Sequence, residues 1–260
     1  MRHLKAPNIA LAIGRQGQVV GATHLWNLAF VSDCLLDVNL FRRGGATVFP
    51  LYLYQDQQPS TLFSNLDPEK NVNFSSDFIE HMRVLFKDKM NPEHILYYIY
   101  AILYSNTYRQ LYREYLLNDY PHIPFTADFE IFERMTDLGK LLIDVHLLKS
   151  SQLNQPVVKY QGQSANHSIS RPTYLEDEKL LYINADHYFE GLTPDVWNYH
   201  IGGYQVLDKY LKDRKGRKMD DPRHFIRVAT ALAKTIEIQE EIDVIYPEVE
   251  KNVIDFNLSD

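Results

Sequence analysis

The segment Trp197 to Lys218, WNYHIGGYQVLDKYLKDRKGRK, constrains the fold of this chain more than any other. An aromatic-polar run to Ile201 meets the pair Gly202-Gly203, and the amphipathic segment that follows closes in a basic cluster. From Tyr204 onward, Val206, Leu207, Tyr210 and Leu211 recur at helical spacing, which turns them inward and leaves Gln205, Lys209, Lys212 and Asp213 to water. Glycine opens backbone conformations closed to other residues, so the pair is predicted to turn a strand sharply into a helix. Lys209, Lys212, Arg214, Lys215, Arg217 and Lys218 stand against Asp208 and Asp213, a net +4 in one short window. Such charge at the free end of a packed helix either faces phosphates or offsets the helix dipole and solvates an ordinary surface.

The whole chain has 260 residues, enough to bury a substantial core as one large domain or two small ones. Its net charge of −7 counts against a nucleic-acid binder, but the charge is unevenly spread. Residues 1–54 hold five bases against two acids, whereas Asp220 to Asp260 hold ten acids against four bases. Two basic segments and an acidic tail are compatible with a single DNA-facing side. Cys34 is the only cysteine, which rules out an intrachain disulfide or thiolate cluster and fits a reducing cytoplasm. The N-terminus lacks a signal-peptide pattern, and the longest apolar run, Ile95 to Tyr104, falls far short of the ~20 residues that span a bilayer.

The predicted fold class is α+β. Residues 1–74 read as a β-rich part, 75–150 as a helical block with a long spine helix, and 151–260 as a loop, a strand–Gly-Gly–helix unit and a C-terminal helix, all in one integrated domain. Short apolar runs at 9–13, 19–21, 25–31 and 48–54 predict the strands, the last entered through Pro50 and so an edge strand or a strand start. Residues 55–74 read as a surface loop. Asn91-Pro92-Glu93 announces a helix, which breaks near Ser105-Asn106 and resumes from Tyr108 to Leu117. Its tyrosine stripe follows the apolar spacing and so belongs in the core. Tyr120 to Phe125 is a proline-stiffened connector, and Asp128 to about Lys149 is the longest predicted helix. His146 lies beside its apolar face with no partner at metal-ligand spacing, which makes it a structural histidine. Residues 150–178 are polar and irregular, either a flexible insertion or a recognition loop. Asp221-Pro222 opens a final helix that Pro247 is predicted to end.

Arg and Gln can each grip a base edge with two hydrogen bonds. Arg15-Gln16 in a turn between predicted strands, Arg42-Arg43 before a glycine pair, and Arg171 in the polar stretch are the candidate base readers, with an ordinary polar turn as the alternative. The basic cluster from Lys209 to Lys218 supplies the candidate backbone contacts.

Several blocks resemble the C-terminal part of the large single-chain restriction–modification enzymes, Type IIG and Type ISP. Ile201 to Arg217 is similar to a target-recognition block that follows the adenine methyltransferase domain in that family. Asn8, Ala10, Leu11, Arg15 and Gln16, then Trp26, Phe30, Val31 and Ser32, resemble the opening of its recognition domain. Tyr98 to Leu103 followed by Tyr108-Arg109 is also family-like. In the block Tyr120-Pro121-His122-Ile123-Pro124, His122 replaces the usual Arg and removes a permanent charge.

The resemblance runs from about Asn8 to about Asp243 and implies a recognition domain for double-stranded DNA. The methyltransferase and nuclease would lie upstream or on another polypeptide, in a bacterial or archaeal cytoplasm. S-adenosylmethionine, magnesium and, in the Type ISP branch, ATP would serve the complete enzyme, with no cofactor in this chain.

The motifs of catalysis are missing from the sequence. No Asn-Pro-Pro-Tyr or Asp-Pro-Pro-Tyr motif and no Walker-type Gly-x-x-x-x-Gly-Lys occurs. Glu176-Asp177-Glu178-Lys179 is a weak nuclease-like fragment in a predicted loop, and the ten histidines show no metal-binding spacing. Two other readings remain: a protein-interaction module docking through tyrosine-rich and acidic surfaces, and, ranked last, a standalone hydrolase.

Overall fold

One 30-residue helix, Pro222–Lys251, serves two hydrophobic cores. The structure, a computed structural model, describes residues 2–14, 26–37, 45–55 and 70–256. Its α+β architecture is the one the sequence predicts.

The first core begins with a three-stranded antiparallel sheet of β1 (Ala10–Gly14), β2 (Ala29–Ser32) and β3 (Ala46–Pro50), in the order β2-β1-β3. The predicted strand at 19–21 lies outside the described residues. The predicted 48–54 strand divides at Leu51: its N–H makes the last bond of the ladder with β1, to the Ile9 carbonyl at 2.8 Å, and Pro50 closes β3 instead of opening a strand, on an edge of the sheet where its missing N–H is tolerated. Beyond it, β4 (Tyr52–Tyr54) pairs with β5 (Lys70–Val72), which corrects the loop expectation for at least those last residues.

Helix α2 (Pro92–Tyr104) meets this sheet and packs on α5 (Phe129–His146), and α1 (Ser76–Phe86) joins the same core. Asn91 accepts from the His94 N–H and Pro92 opens α2, as the start signal requires. Ser105 ends α2 and caps α3 (Asn106–Leu111), and Tyr112 separates α3 from α4 (Arg113–Asn118). Most of the tyrosine stripe is core: Tyr98, Tyr100, Tyr104 and Tyr108 are buried, whereas Tyr115 at its end is exposed. Helices α2 and α5 approach closely at Gly139, where a Cβ would meet the Tyr97 carbonyl oxygen at 1.8 Å.

His146 closes this core as a neutral ring. Thr235 Oγ1 already donates to the Ala231 carbonyl at 2.7 Å, so it accepts from His146 Nε2–H at 2.9 Å, and Nδ1 accepts from Tyr100 at 2.7 Å. Burial pushes its pKa down to about 3, with the nearby Arg109 charge adding to the effect.

The second core lies under a four-stranded antiparallel sheet of β6 (Lys159–Gln161), β7 (Thr173–Leu175), β8 (Leu180–Tyr182) and β9 (Tyr188–Glu190), ordered β6-β9-β8-β7. Two of these strands fall within the stretch 150–178 that reads as irregular. They are only three residues long, too short for alternation to register. Phe189 stacks on Phe225 at 4.1 Å and fastens the sheet to the long helix.

Next come α6 (Pro194–Trp197), β10 (His200–Ile201), β11 (Tyr204–Gln205) and α7 (Val206–Lys212). The glycine pair therefore turns one strand into another, with Gly202 at φ 55°, and the helix starts only after this hairpin. Helix α8 (Pro222–Lys251) then runs about 45 Å at 1.5 Å per residue. It is longer than α5 and passes through Pro247 rather than ending there. The flanking residues Ile245, Tyr246 and Val249 are buried, and that packing holds the turn despite the missing N–H.

Candidate nucleic-acid interface

The six cations of the 209–218 window are not equivalent. Within α7, Lys209 pairs with Asp213, and Lys212 with Asp208 at 2.6 Å, so this helix with its C-cap is locally neutral. Arg214 folds back, donating to the Tyr210 carbonyl at 3.0 Å with its guanidinium 3.7 Å above the Tyr210 ring. Lys215, Arg217 and Lys218 are exposed, and among the described residues they have no ion-pair partner. The available positive charge thus sits in the turn after α7, where Gly216 adopts φ 80°.

That turn is stitched to the polar stretch before β7. The Ile169 N–H donates to the Arg217 carbonyl at 2.9 Å, Gly216 donates to Ile169 at 2.8 Å, and Met219 donates to His167 at 2.9 Å. Ser168 and Lys218 form an isolated antiparallel bridge. Arg171, exposed and also without an ion-pair partner among the described residues, leaves this ladder two residues after Ile169. Arg171 and the turn cations, far apart in sequence, thus share one edge of the molecule.

The loop 162–170 is held from Ser164 onward. His187 lies buried beneath it, stacked with Tyr160 and in ring contact with His167 at 4.3 Å. A carbonyl can only accept, so His187 carries its proton on Nε2 and donates to Ser164 at 2.9 Å, leaving Nδ1 buried without a partner. Gly162 rests against that ring at φ 147°; a Cβ there would come within 2.0 Å of Nδ1. Asn184 Nδ2 donates to the carbonyls of Asn166 and Ser168, both at 2.9 Å, while its Oδ1 accepts from the N–H groups of Asp186 and His187. Both donors and both acceptor positions of the Asn184 side-chain amide are in use.

Strand register separates the charges. Gln161, Thr173, Tyr182 and Tyr188 mark the sheet end that carries the loop 162–170, and Lys159, Leu175, Leu180 and Glu190 mark the other. The Glu176-Asp177-Glu178 turn, between β7 and β8, falls at that other end. Among the described residues no group of three or more His, Cys, Asp or Glu side chains could hold a metal ion. Asp186, in the turn between β8 and β9, and Asp220 and Asp221, just after Lys218, set acids at the cationic end as well.

Arg15, Gln16, Arg42 and Arg43 lie outside the described residues. The two lysine–aspartate pairs on α7 follow the i,i+4 spacing visible in the sequence, a signal that the reading of the basic cluster passed over.

The scaffold is thus a two-core α+β unit with one cationic sheet end. The sequence model of the Type ISP C-terminal specificity domain matches residues 1–242, and the chain belongs to that family. No curated protein matches. Among solved structures, the chain is similar to the ATP-dependent Type ISP restriction–modification enzyme LlaBIII bound to DNA, with a TM-score of 0.68 and 21% identity. That likeness covers 91% of this chain and 16% of that one. A nuclease-deletion mutant of the Type ISP enzyme LlaGI, in complex with a DNA substrate mimic, gives a TM-score of 0.62 at 18% identity, over 91% of this chain and 21% of that one. The DrdV–DNA complex gives 0.68 at 18% identity, over 91% of this chain and 25% of that one. At these identities the likeness establishes the fold, and the chain spans only 16–25% of the length of these proteins.

Proposed function

We propose that this chain is the DNA target-recognition domain of a restriction–modification enzyme. It holds duplex DNA by its backbone and reads one short sequence for an adenine methyltransferase and a nuclease located elsewhere, on the same or a partner polypeptide. The carrying observation is the gathering of Arg171, Lys215, Arg217 and Lys218 at one sheet end, with the acidic turn at the other. Membership of the specificity-domain family and a fold shared with three DNA-bound structures support the reading. Lys and Arg on phosphates supply affinity and register, whereas side chains on base edges supply choice. On this reading the chain performs no catalytic step, works in the cytoplasm, and leaves S-adenosylmethionine, magnesium and ATP to the remainder of the enzyme.

Salt dependence tests it. Neutralising a phosphate releases condensed counterions, so affinity for duplex DNA should fall steeply as salt rises from about 50 to about 200 mM. A flat dependence, or no duplex binding at about 50 mM salt, refutes the reading. The net charge of −7 and the exposed Glu240 and Glu241 on α8 would then favour a protein-interaction module.

A further inference from the structure

We infer that the loop 162–170 is a base-reading element and that Gln163 is its reading side chain. The inference rests on the DNA-recognition reading above and adds a specific residue to it. Gln163 is exposed at the loop's start, directly after Gly162, and its amide has no hydrogen-bond partner among the described residues.

Two observations separate this loop from an ordinary polar connector. The first is its bracing. The carbonyls of Ser164, Asn166 and Ser168 are bound by His187 and Asn184, and Ile169 and His167 are bound by the cationic turn. Holding the backbone this way removes the conformational entropy that a mobile loop would lose on binding, so contacts from its side chains translate more fully into affinity. The second is placement. Backbone bonds set residues 167–169 of the loop beside Arg217 and Lys218, at the same sheet end from which Gln163 emerges after β6, so phosphate contacts at the turn would bring the Gln163 amide towards a groove.

The chemistry names the target. A glutamine amide offers one donor and one acceptor side by side, the complement of adenine N7 and N6 in the major groove. Adenine at one position of the recognised sequence is therefore the base that Gln163 selects.

Competition binding of the chain to duplexes randomised over the recognised sequence tests this, with thermal unfolding as the control for folding. Gln163→Ala should lower discrimination at one base pair by roughly 5- to 150-fold, the worth of a bidentate contact, while affinity for non-specific duplex stays unchanged. Gln163→Glu should move the preference at that position from adenine towards cytosine, whose amino group a carboxylate can accept from. A merely structural role would not produce that switch. Gly162→Ala, which drives a Cβ into His187, should blur the same position with non-specific affinity retained. An unaltered preference in Gln163→Ala and Gln163→Glu overturns the inference and leaves the proposed function standing. Absence of any duplex binding by the unaltered chain overturns both.

Discussion

Asp243, on the second half of α8, caps a helix 138 residues away in sequence. Its Oδ1 accepts from Ser105 Oγ at 2.7 Å and from the Thr107 N–H at 2.9 Å. Ser105 Oγ in turn accepts from the Tyr108 N–H at 3.0 Å, so a two-residue relay satisfies the start of α3.

Removing this relay should cost stability in the range of a lost cap. Asp243→Ala is expected to destabilise the chain by about 0.5–2 kcal/mol, and Asp243→Asn, which keeps the accepting oxygen, by clearly less. Urea unfolding of the two variants distinguishes a cap from a charge effect.

Gly139→Ala is expected to be destabilising, although alanine is the better helix former by about 0.8–1 kcal/mol. The added Cβ has no room beside the Tyr97 carbonyl, and forcing α2 from α5 should cost more than the propensity gain, on the order of 1–3 kcal/mol. A lowered midpoint in thermal unfolding is the expected result; a raised one would show that the helices can separate without loss.

The neutral His146 gives the fold an acid sensitivity. Its folded pKa of about 3 lies below the ordinary value of 6.5, so below that ordinary value the unfolded chain takes up a proton that the folded chain refuses. Stability should therefore fall as the pH drops from 6.5 towards 3, by up to about 1.4 kcal/mol per pH unit for this one group. Denaturant titrations of the unaltered chain and His146→Gln at pH 7 and pH 4.5 test it: the variant should be less stable at pH 7 yet lose less on acidification.

The cations of the basic window should divide by their partners. Arg217→Ala or Lys218→Ala should each reduce the slope of log affinity against log salt by up to about 0.9 if one phosphate contact is lost. Lys212→Ala, which removes a lysine already paired with Asp208, should change it little. Equal slopes for all three variants would show that the α7 ion pair opens freely on the duplex.

Local chemistry was legible in the sequence, and long-range closure was not. Asn91-Pro92, Asp128 and Asp221 announced helix starts because a cap bonds within three residues of itself. The tyrosine spacing placed Tyr98 and Tyr108 in the core for the same local reason. Pro247 was misread because backbone propensity yields to packing when the neighbouring residues are buried, whereas Pro50 signalled an edge strand correctly and only its place at the strand's end was missed. The loop 162–170 could not be told from a flexible insertion, since the residues that hold it, Asn184, His187 and Gly216 to Met219, come up to 57 positions later. The charge of the basic window was visible, but which cations remain available depended on the fold back of Arg214 and on the loop beside Lys218.

The long α8 has a consequence for how such domains diversify. Because the same rod walls both cores, neither half can be transplanted without carrying a naked apolar strip into its new host. Changes confined to the loops, by contrast, leave that strip covered.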